Sequence, residues 1–355
     1  MQRFEKFASW AGVEHAIILA PMAGGTSTPA LVAAVSNAGA LGSMGAGYMT
    51  PAEIAQAIVE IRSLTDRPFA VNLFAGGSDG TGSRDSTEML KTMASFHARL
   101  GLPPPTIPSS SLPPFEGQVK AVLDARVPIF SFTFGIPAAE ITSRMKARGT
   151  KLVGTATTVA EARALHAAGV EAIVAQGSEA GAHRGTFLAS CEDSLVGTMA
   201  LVPQIADAVP LPVIASGGIM DGRGIVAAAA LGASAVQMGT AFLLCPESGA
   251  AQAHRAAILS ARDDATILTR AFSGRLARGI SNSFAVSMKE HERSILTYPA
   301  QNNLTRPMRT AAAKKGAAEY LSLWAGQAAP LARVMPAAEL VRQLVKESAE
   351  ISALL

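Results

Sequence analysis

The stretch LPVIASGGIMDGRGIVAAAALGASAVQMGT, residues 211–240, decides the fold. Pro212–Ala215 is a short apolar run that reads as a strand, and it ends in Ser216-Gly217-Gly218. Asp221–Leu231 reads as an Ala-rich helix stopped by Gly232, and Ala235–Met238 is a second apolar strand ending in Gly239-Thr240. Neither strand alternates apolar with polar residues, which is what burial on both faces of a parallel sheet demands. Two strands joined by a crossover helix form a parallel pair, and both glycine turns then fall at the same, carboxyl-terminal edge.

The same unit recurs upstream. Strands are predicted at Ala16–Ala20, Ala40–Met44, Phe69–Phe74, Pro128–Phe134, Lys151–Thr155 and Ala172–Gln176, which makes eight with the two above. Helices are predicted at Pro29–Ala38, closed by Gly39, at Ala138–Arg148, at Val159–Ala168, closed by Gly169, and at Leu195–Ala208. Another starts at Thr50, where Pro51 at the first helical position and Glu53 three residues after the threonine make a capping box. Eight alternations predict an α/β protein, a (β/α)8 TIM barrel. An open doubly wound sheet is the alternative, but no G-x-G-x-x-G follows the first strand, which counts against its dinucleotide-binding version.

Bulk properties agree. Of 355 residues, 49% are hydrophobic and 16% charged, enough for a large core of small and branched side chains. The net charge is +3 and no basic run exceeds Lys314-Lys315, so no nucleic-acid partner is expected. No uninterrupted apolar stretch approaches the length of a membrane span. Met1–Trp10 mixes Arg3, Glu5 and Lys6 with Phe and lacks the apolar region of a secretory signal. Cys191 and Cys245 share no metal-like spacing, so no metal is expected and reduced thiols in the cytoplasm are the simple reading.

Two segments interrupt the rhythm. Gly76–Phe115 contains Ser-Asp-Gly turns, a helical middle (Ser86–Leu100) and the Pro-rich run Leu102–Pro114. Pro246 to about Leu321 carries a helical Ala251–Ala261, then a less regular stretch with Arg270, Arg275, Arg278, His291 and Arg293. Long insertions after strand carboxyl ends are where barrel active sites are elaborated. The expected division is therefore a barrel from 1–75, 116–245 and 322–355, with 76–115 and 246–321 forming a smaller substrate or lid domain. The tail Ala337–Leu354 is predicted to be an amphipathic helix on the barrel exterior.

Chemistry concentrates at the strand ends. Ser216, Gly217 and Gly218 after the seventh strand, with Gln237, Met238, Gly239 and Thr240 at the end of the eighth, suit a phosphate. Glycines let backbone N–H groups approach an anion closely, and barrels build phosphate sites after these two strands. After the sixth strand comes Gln176-Gly-Ser-Glu-Ala-Gly181-Ala-His183-Arg-Gly-Thr-Phe187, a glycine-punctuated loop with one histidine. A near-neutral imidazole at that position suits proton abstraction from carbon or contact with an anion. The other five histidines lie on helices, before the first strand, or in the insertions. Asn72 and Gln176, at strand ends, offer amide donors and acceptors of the kind that complement a flavin pyrimidine edge, and Pro21 and Met22 offer a wall beside it. In the string 298–309, Tyr298, Asn302 and Arg306 place a phenol, an amide and a guanidinium where a small anion could be held.

These residues resemble the nitronate monooxygenases, formerly called 2-nitropropane dioxygenases. The resemblance is carried by APMAG (20–24), VNLF (71–74), SFTFG (131–135), GSEAGAHRGTF (177–187), ASGGI (215–219), VQMGTAF (236–242) and the Tyr-Pro-Ala-Gln string from Tyr298. The HRGTF continuation and the Tyr-Pro-Ala-Gln string point more narrowly to class I. The resemblance implies non-covalent FMN and the oxidation of alkyl nitronates, such as propionate 3-nitronate, by O2 to a carbonyl compound and nitrite. It implies that Asn72, Gln176, Gly181, Gly218 and Gln237–Thr240 contact the flavin and that His183 is catalytic. Two departures stand out. Some members carry a second histidine where this chain has Thr133, here read as a substrate contact. A family glycine is replaced by Ala182, a mild change if that backbone avoids positive φ. Rival readings are an FMN-dependent NAD(P)H:quinone reductase or enoyl reductase on the same barrel, and a non-catalytic flavin-binding scaffold. A monomer or homodimer is expected.

Overall fold

Each of the eight apolar runs becomes a parallel strand of one sheet in the computed structural model, which describes residues 2–76, 85–107 and 111–354. In chain order the strands are β1 (Ile17–Leu19), β2 (Gly42–Gly45), β3 (Phe69–Phe74), β4 (Ile129–Thr133), β5 (Lys151–Ala156), β6 (Ala172–Gln176), β7 (Ala182–His183), β8 (Val213–Ser216), β9 (Ala235–Met238), β10 (Thr266–Thr269) and β11 (Ala277–Ile280). The eight-stranded sheet runs β1-β9-β8-β6-β5-β4-β3-β2. Its two edges meet through a parallel bridge between Ile18 and Leu41, so the sheet curls into a barrel. The predicted seventh and eighth strands are β8 and β9, paired in register from Ile214–Ala235 to Ser216–Gln237, which brings both glycine turns to one mouth.

Helix signals act where the sequence places them. Thr50 Oγ1 accepts from Glu53 N (3.3 Å) while Glu53 Oε2 accepts from Thr50 N (2.7 Å), completing the capping box of helix Pro51–Leu64. Asp221 caps Gly222–Ala230 by accepting from Arg223 N and Gly224 N. The helix expected from Leu195 begins only at Thr198, because the Glu179 carboxylate reaches over from the β6 turn and accepts from Thr198 N at 2.9 Å. Helix Ala337–Ser352 buries Leu340, Val341 and Leu344 against the barrel core.

The insertions carry more regular structure than the sequence suggests. Residues 246–321 hold helix Gln252–Leu259, the β10–β11 hairpin, and helix Ala300–Lys315 with Pro307 inside it. The string from Tyr298 to Arg309 is thus mostly helix. β11 also pairs with β7, so the His183 loop is stitched to the hairpin as the third strand of an antiparallel sheet. A second cluster of buried residues, including Met89, Met93, Phe96, Phe272, Phe284 and Met308, lies apart from the barrel core and draws on both insertions. The Ser-Asp-Gly turns at 78–80 and residues 108–110 of the Pro-rich run lie outside the described residues.

Candidate active site

The glycine turns form a cradle at the mouth of the barrel. Gly217 and Gly218 have φ of 112° and 72°, the left-handed region that favours glycine. A Cβ on Gly217 would sit 3.0 Å from Ala180 N, and one on Gly181 would sit 2.6 Å from the Ala325 carbonyl carbon. The turns after β6 and β8 and the pass at 325–326 therefore touch backbone to backbone. Gly326 N donates to Thr240 Oγ1 at 3.0 Å, tying in the turn after β9. Among the described residues, no protein acceptor meets the N–H of Gly217, Gly218 or Gly239. Close-packed glycines with uncommitted N–H donors fit a phosphate group. Met22 reaches the same turn, its sulfur 3.8 Å from where a Cβ on Gly239 would lie, and Pro21 stands half-buried beside it.

The His183 loop crosses the mouth. Gln176 holds it there: its Nε2 donates to His183 O (3.1 Å) and its Oε1 accepts from Gly185 N (2.8 Å). These two bonds leave the amide one N–H and one lone pair for another partner. Gly185 lies over Thr155 and Thr133, whose Cγ2 atoms would be 2.9 and 3.2 Å from a Cβ there. Asn72, buried, donates to Ser131 Oγ at 2.9 Å and lies 3.4 Å from Thr133 Oγ1, forming a polar row across β3 and β4. Arg184 faces the other way from His183. Its buried guanidinium donates to Gly177 O, Gln176 O and Ser194 O, so it holds the loop's shape.

His183 itself is half-buried in an aromatic surround, with ring centroids of Trp324, Phe134 and Tyr298 at 5.6, 6.0 and 6.1 Å. Its Nε2 is 2.8 Å from Ser273 Oγ. Burial, helped by the Arg309 charge, pushes its pKa down to about 4. Arg275 is sandwiched, its guanidinium carbon 3.9 Å from the Phe134 ring centre and 4.9 Å from that of Tyr298. Tyr298 is fully buried and its hydroxyl is 3.5 Å from that of Tyr48. Burial raises both phenols, so they stay protonated donors. Arg309 donates to Asn302 O (2.8 Å) and Asn302 Oδ1 (2.9 Å), and burial lowers both Arg275 and Arg309 to about 10, leaving them charged at neutral pH.

The sequence-derived residues therefore distribute unevenly. His183, Thr133, Asn72, Gln176 and Tyr298 converge, as do the glycines. Asn302 is turned toward Arg309 and orients it, while Arg306 is exposed and lies beside Tyr48, 5.7 Å from its ring centre. Sequence reading missed Tyr48, Phe134, Ser273, Arg309 and Trp324, and noted Arg275 only as part of an irregular stretch. Ser273 and Arg275 immediately precede β11, so only the β7–β11 pairing brings them to His183.

A barrel with a glycine cradle that fits a phosphate, a caged histidine and two arginines at one mouth has the form of a small-molecule-binding active site. Comparison with known proteins gives the family. The nitronate monooxygenase family matches residues 8–347. A probable nitronate monooxygenase from Staphylococcus aureus is 45% identical over 340 residues, 96% of each chain, and one from Staphylococcus haemolyticus is 45% identical over 337. Among solved structures, nitroalkane oxidase from Streptomyces ansochromogenes superposes with a TM-score of 0.90 at 42% identity, covering 98% of this chain and 100% of its own. FabK from Thermotoga maritima superposes with a TM-score of 0.78 at 31% identity, covering 98% and 97%. The chain belongs to the nitronate monooxygenase family, which is flavin-dependent, and is an oxidoreductase.

Proposed function

We propose that the chain binds FMN non-covalently and oxidises alkyl nitronates, such as propionate 3-nitronate, with O2, yielding a carbonyl compound and nitrite. The observation that carries this reading is the caged His183 with the guanidinium groups of buried Arg275 and half-buried Arg309, one loop away from the glycine cradle. A nitronate bears its negative charge on two nitro oxygens, and cations shielded from water attract such a group more strongly than exposed ones do. Flavin, when bound, supplies the electron acceptor and the reactivity toward O2.

The chain's own residues do the rest. Gly217, Gly218 and Gly239 offer N–H donors to the cofactor phosphate, with Ser216, Gln237, Met238, Thr240 and Gly181 completing the wall. Asn72 and the remaining capacity of Gln176 face the ring's polar edge, with Pro21 and Met22 alongside. Tyr298, Thr133 and Arg275 position the substrate, and Asn302 acts through Arg309. His183, neutral at pH 7, takes a carbon-bound proton when the substrate arrives as a neutral nitroalkane. Segments 76–115 and 246–321 form the substrate side of the site, a division supported by their shared second core. A cytoplasmic monomer or homodimer suits this role.

The test is O2 consumption with propionate 3-nitronate, wild type against His183→Asn, with the released flavin identified by chromatography. No turnover by a flavin-loaded wild type would overturn the reading. One rival keeps support, a flavin reductase driven by NAD(P)H, because the likeness to FabK covers nearly the whole chain. Flavin bleaching by NADH or NADPH without O2 would favour it.

A further inference from the structure

The peptide between Gly217 and Gly218 is the least constrained unit of the cradle. Both residues stand at positive φ, 112° and 72°, and glycine adopts either hand of the backbone with similar ease, so the chain itself does not fix which way that peptide faces. Its carbonyl does. Thr198, buried at the first position of helix Thr198–Ala208, donates from Oγ1 to Gly217 O at 2.9 Å. A trans peptide is planar with its C=O and N–H on opposite sides, so a Gly217 carbonyl held toward Thr198 turns the Gly218 N–H away from it. The preceding peptide is held by backbone alone: Ser216 O accepts from Gly177 N at 2.8 Å, which turns the Gly217 N–H away from Gly177. Two successive N–H groups released in this way are the arrangement that holds an anion.

Thr198 is itself fixed. Both carboxylate oxygens of Glu179 accept from Thr198 N at 2.9 Å, and Oε2 also lies 2.9 Å from Thr198 Oγ1. The hydroxyl's one proton therefore has two acceptors in reach. The carboxylate already receives the Thr198 N–H, whereas Gly217 O meets no other donor among the described residues, so the proton satisfies more groups when it stands toward Gly217. The surrounding glycines leave room for that contact. A Cβ on Gly177 would overlap Thr198 Oγ1, and one on Gly217 would lie 3.1 Å from it.

We propose that Thr198 is a positioning residue for the cofactor phosphate: its hydroxyl locks the Gly217–Gly218 peptide so that the Gly218 N–H faces the anion and the Gly217 carbonyl does not. This assignment rests on the reading of the cradle as the FMN phosphate site. Without the hydroxyl the glycine pair is free to turn over, which puts a carbonyl oxygen where a phosphate needs a donor. Thr198 acts through the peptide and not on the flavin, so its removal weakens the hold on the phosphate and leaves the contacts to the ring in place.

The experiment compares FMN with riboflavin, which differ by the phosphate alone. Kd for each is read by flavin fluorescence on the full chain, for the wild type, Thr198→Val and Thr198→Ser. Both variants keep the backbone N–H that meets Glu179. Thr198→Val is expected to raise Kd for FMN by about tenfold or more, the effect of losing a donor to a charged group, and to leave Kd for riboflavin unchanged. Thr198→Ser, which keeps the hydroxyl, is expected to bind FMN as the wild type does. Should the valine variant not fold, Thr198→Ala removes the same hydroxyl without the branched bulk. An unchanged Kd for FMN, a loss shared equally by riboflavin, or a serine variant as weak as the valine one overturns the proposal. A wild type that holds riboflavin as tightly as FMN overturns it without any variant. If FMN binding responds as expected and the nitronate is not turned over, the functional reading fails and the role of Thr198 stands.

Discussion

Ala182 sits at φ 62°, in the left-handed region, directly before His183. The sequence reading treated this replacement of a glycine as mild provided the backbone avoided positive φ, and the backbone does not avoid it. An L-residue there costs about 1–2 kcal/mol, partly offset by the smaller entropy alanine loses on folding. Ala182→Gly is expected to stabilise the chain by about 0.5–1 kcal/mol in urea denaturation, and an unchanged or lower midpoint would contradict the conformation. Phe134 is a second such position, at φ 72°, and it presents its ring to Arg275 and His183. Strain of this kind at two residues flanking one imidazole is characteristic of a site whose geometry is imposed by its surroundings. Gly217→Ala makes the opposite test. At φ 112°, with Ala180 N 3.0 Å from the new Cβ, it should weaken flavin binding at least about tenfold in titrations of the stripped protein, while the fold persists.

At the scale of elements, the loop from 177 to 188 matters most, and it is held by groups the sequence hides. The Glu161 carboxylate, fully buried, accepts from Thr157 N, Thr157 Oγ1, Thr186 Oγ1, Phe187 N and Leu188 N, so it clamps the far end of the loop to the turn after β5. Glu161→Gln turns one acceptor oxygen into a donor facing donors. It should cost about 2–3 kcal/mol and speed hydrogen exchange at residues 186–188 before it affects the rest of the barrel. Strand and helix positions were legible because their causes are local: apolar runs, the Thr50 box, glycine stops. The glycine cradle was legible for the same reason, since two glycine turns end two adjacent strands. The cage around His183 was not. Ser273, Arg275, Tyr48 and Trp324 are distant in sequence and meet only through β7–β11 pairing and aromatic packing, which no local pattern encodes. Pro307 likewise hid the helix Ala300–Lys315, because proline inside a helical pattern ordinarily reads as its end.

For the whole molecule, the insertions are anchored to the mouth by two histidines, and this gives stability a particular pH dependence. His183 contacts Ser273, and His254 Nε2 lies 3.1 Å from Trp324 O. Both are pushed down to about 4, His183 by burial and Arg309, and His254 by burial and Arg255 against the pull of the Trp324 carbonyl. In the unfolded chain each titrates near 6.5. Between about pH 4 and 6.5 the unfolded state therefore binds more protons than the folded one, and stability rises with pH across that window. The stabilisation is complete above about 6.5 and is lost as pH falls toward 4. Buried or bonded carboxylates behave differently. Asp221, facing Arg223, and Glu347, facing Arg333, lie below their usual values despite burial, so their contribution is lost only as pH falls below the ordinary carboxylate range. The two windows barely overlap, which makes the histidine share separable. The melting temperature should be flat from pH 8 to 7 and fall measurably by pH 5, and the double variant His183→Asn, His254→Asn should flatten that limb while leaving the steeper loss below pH 4. Scanning fluorimetry across the range checks it: a double variant that keeps the wild-type slope between pH 5 and 6.5 would place the acid sensitivity elsewhere in the molecule.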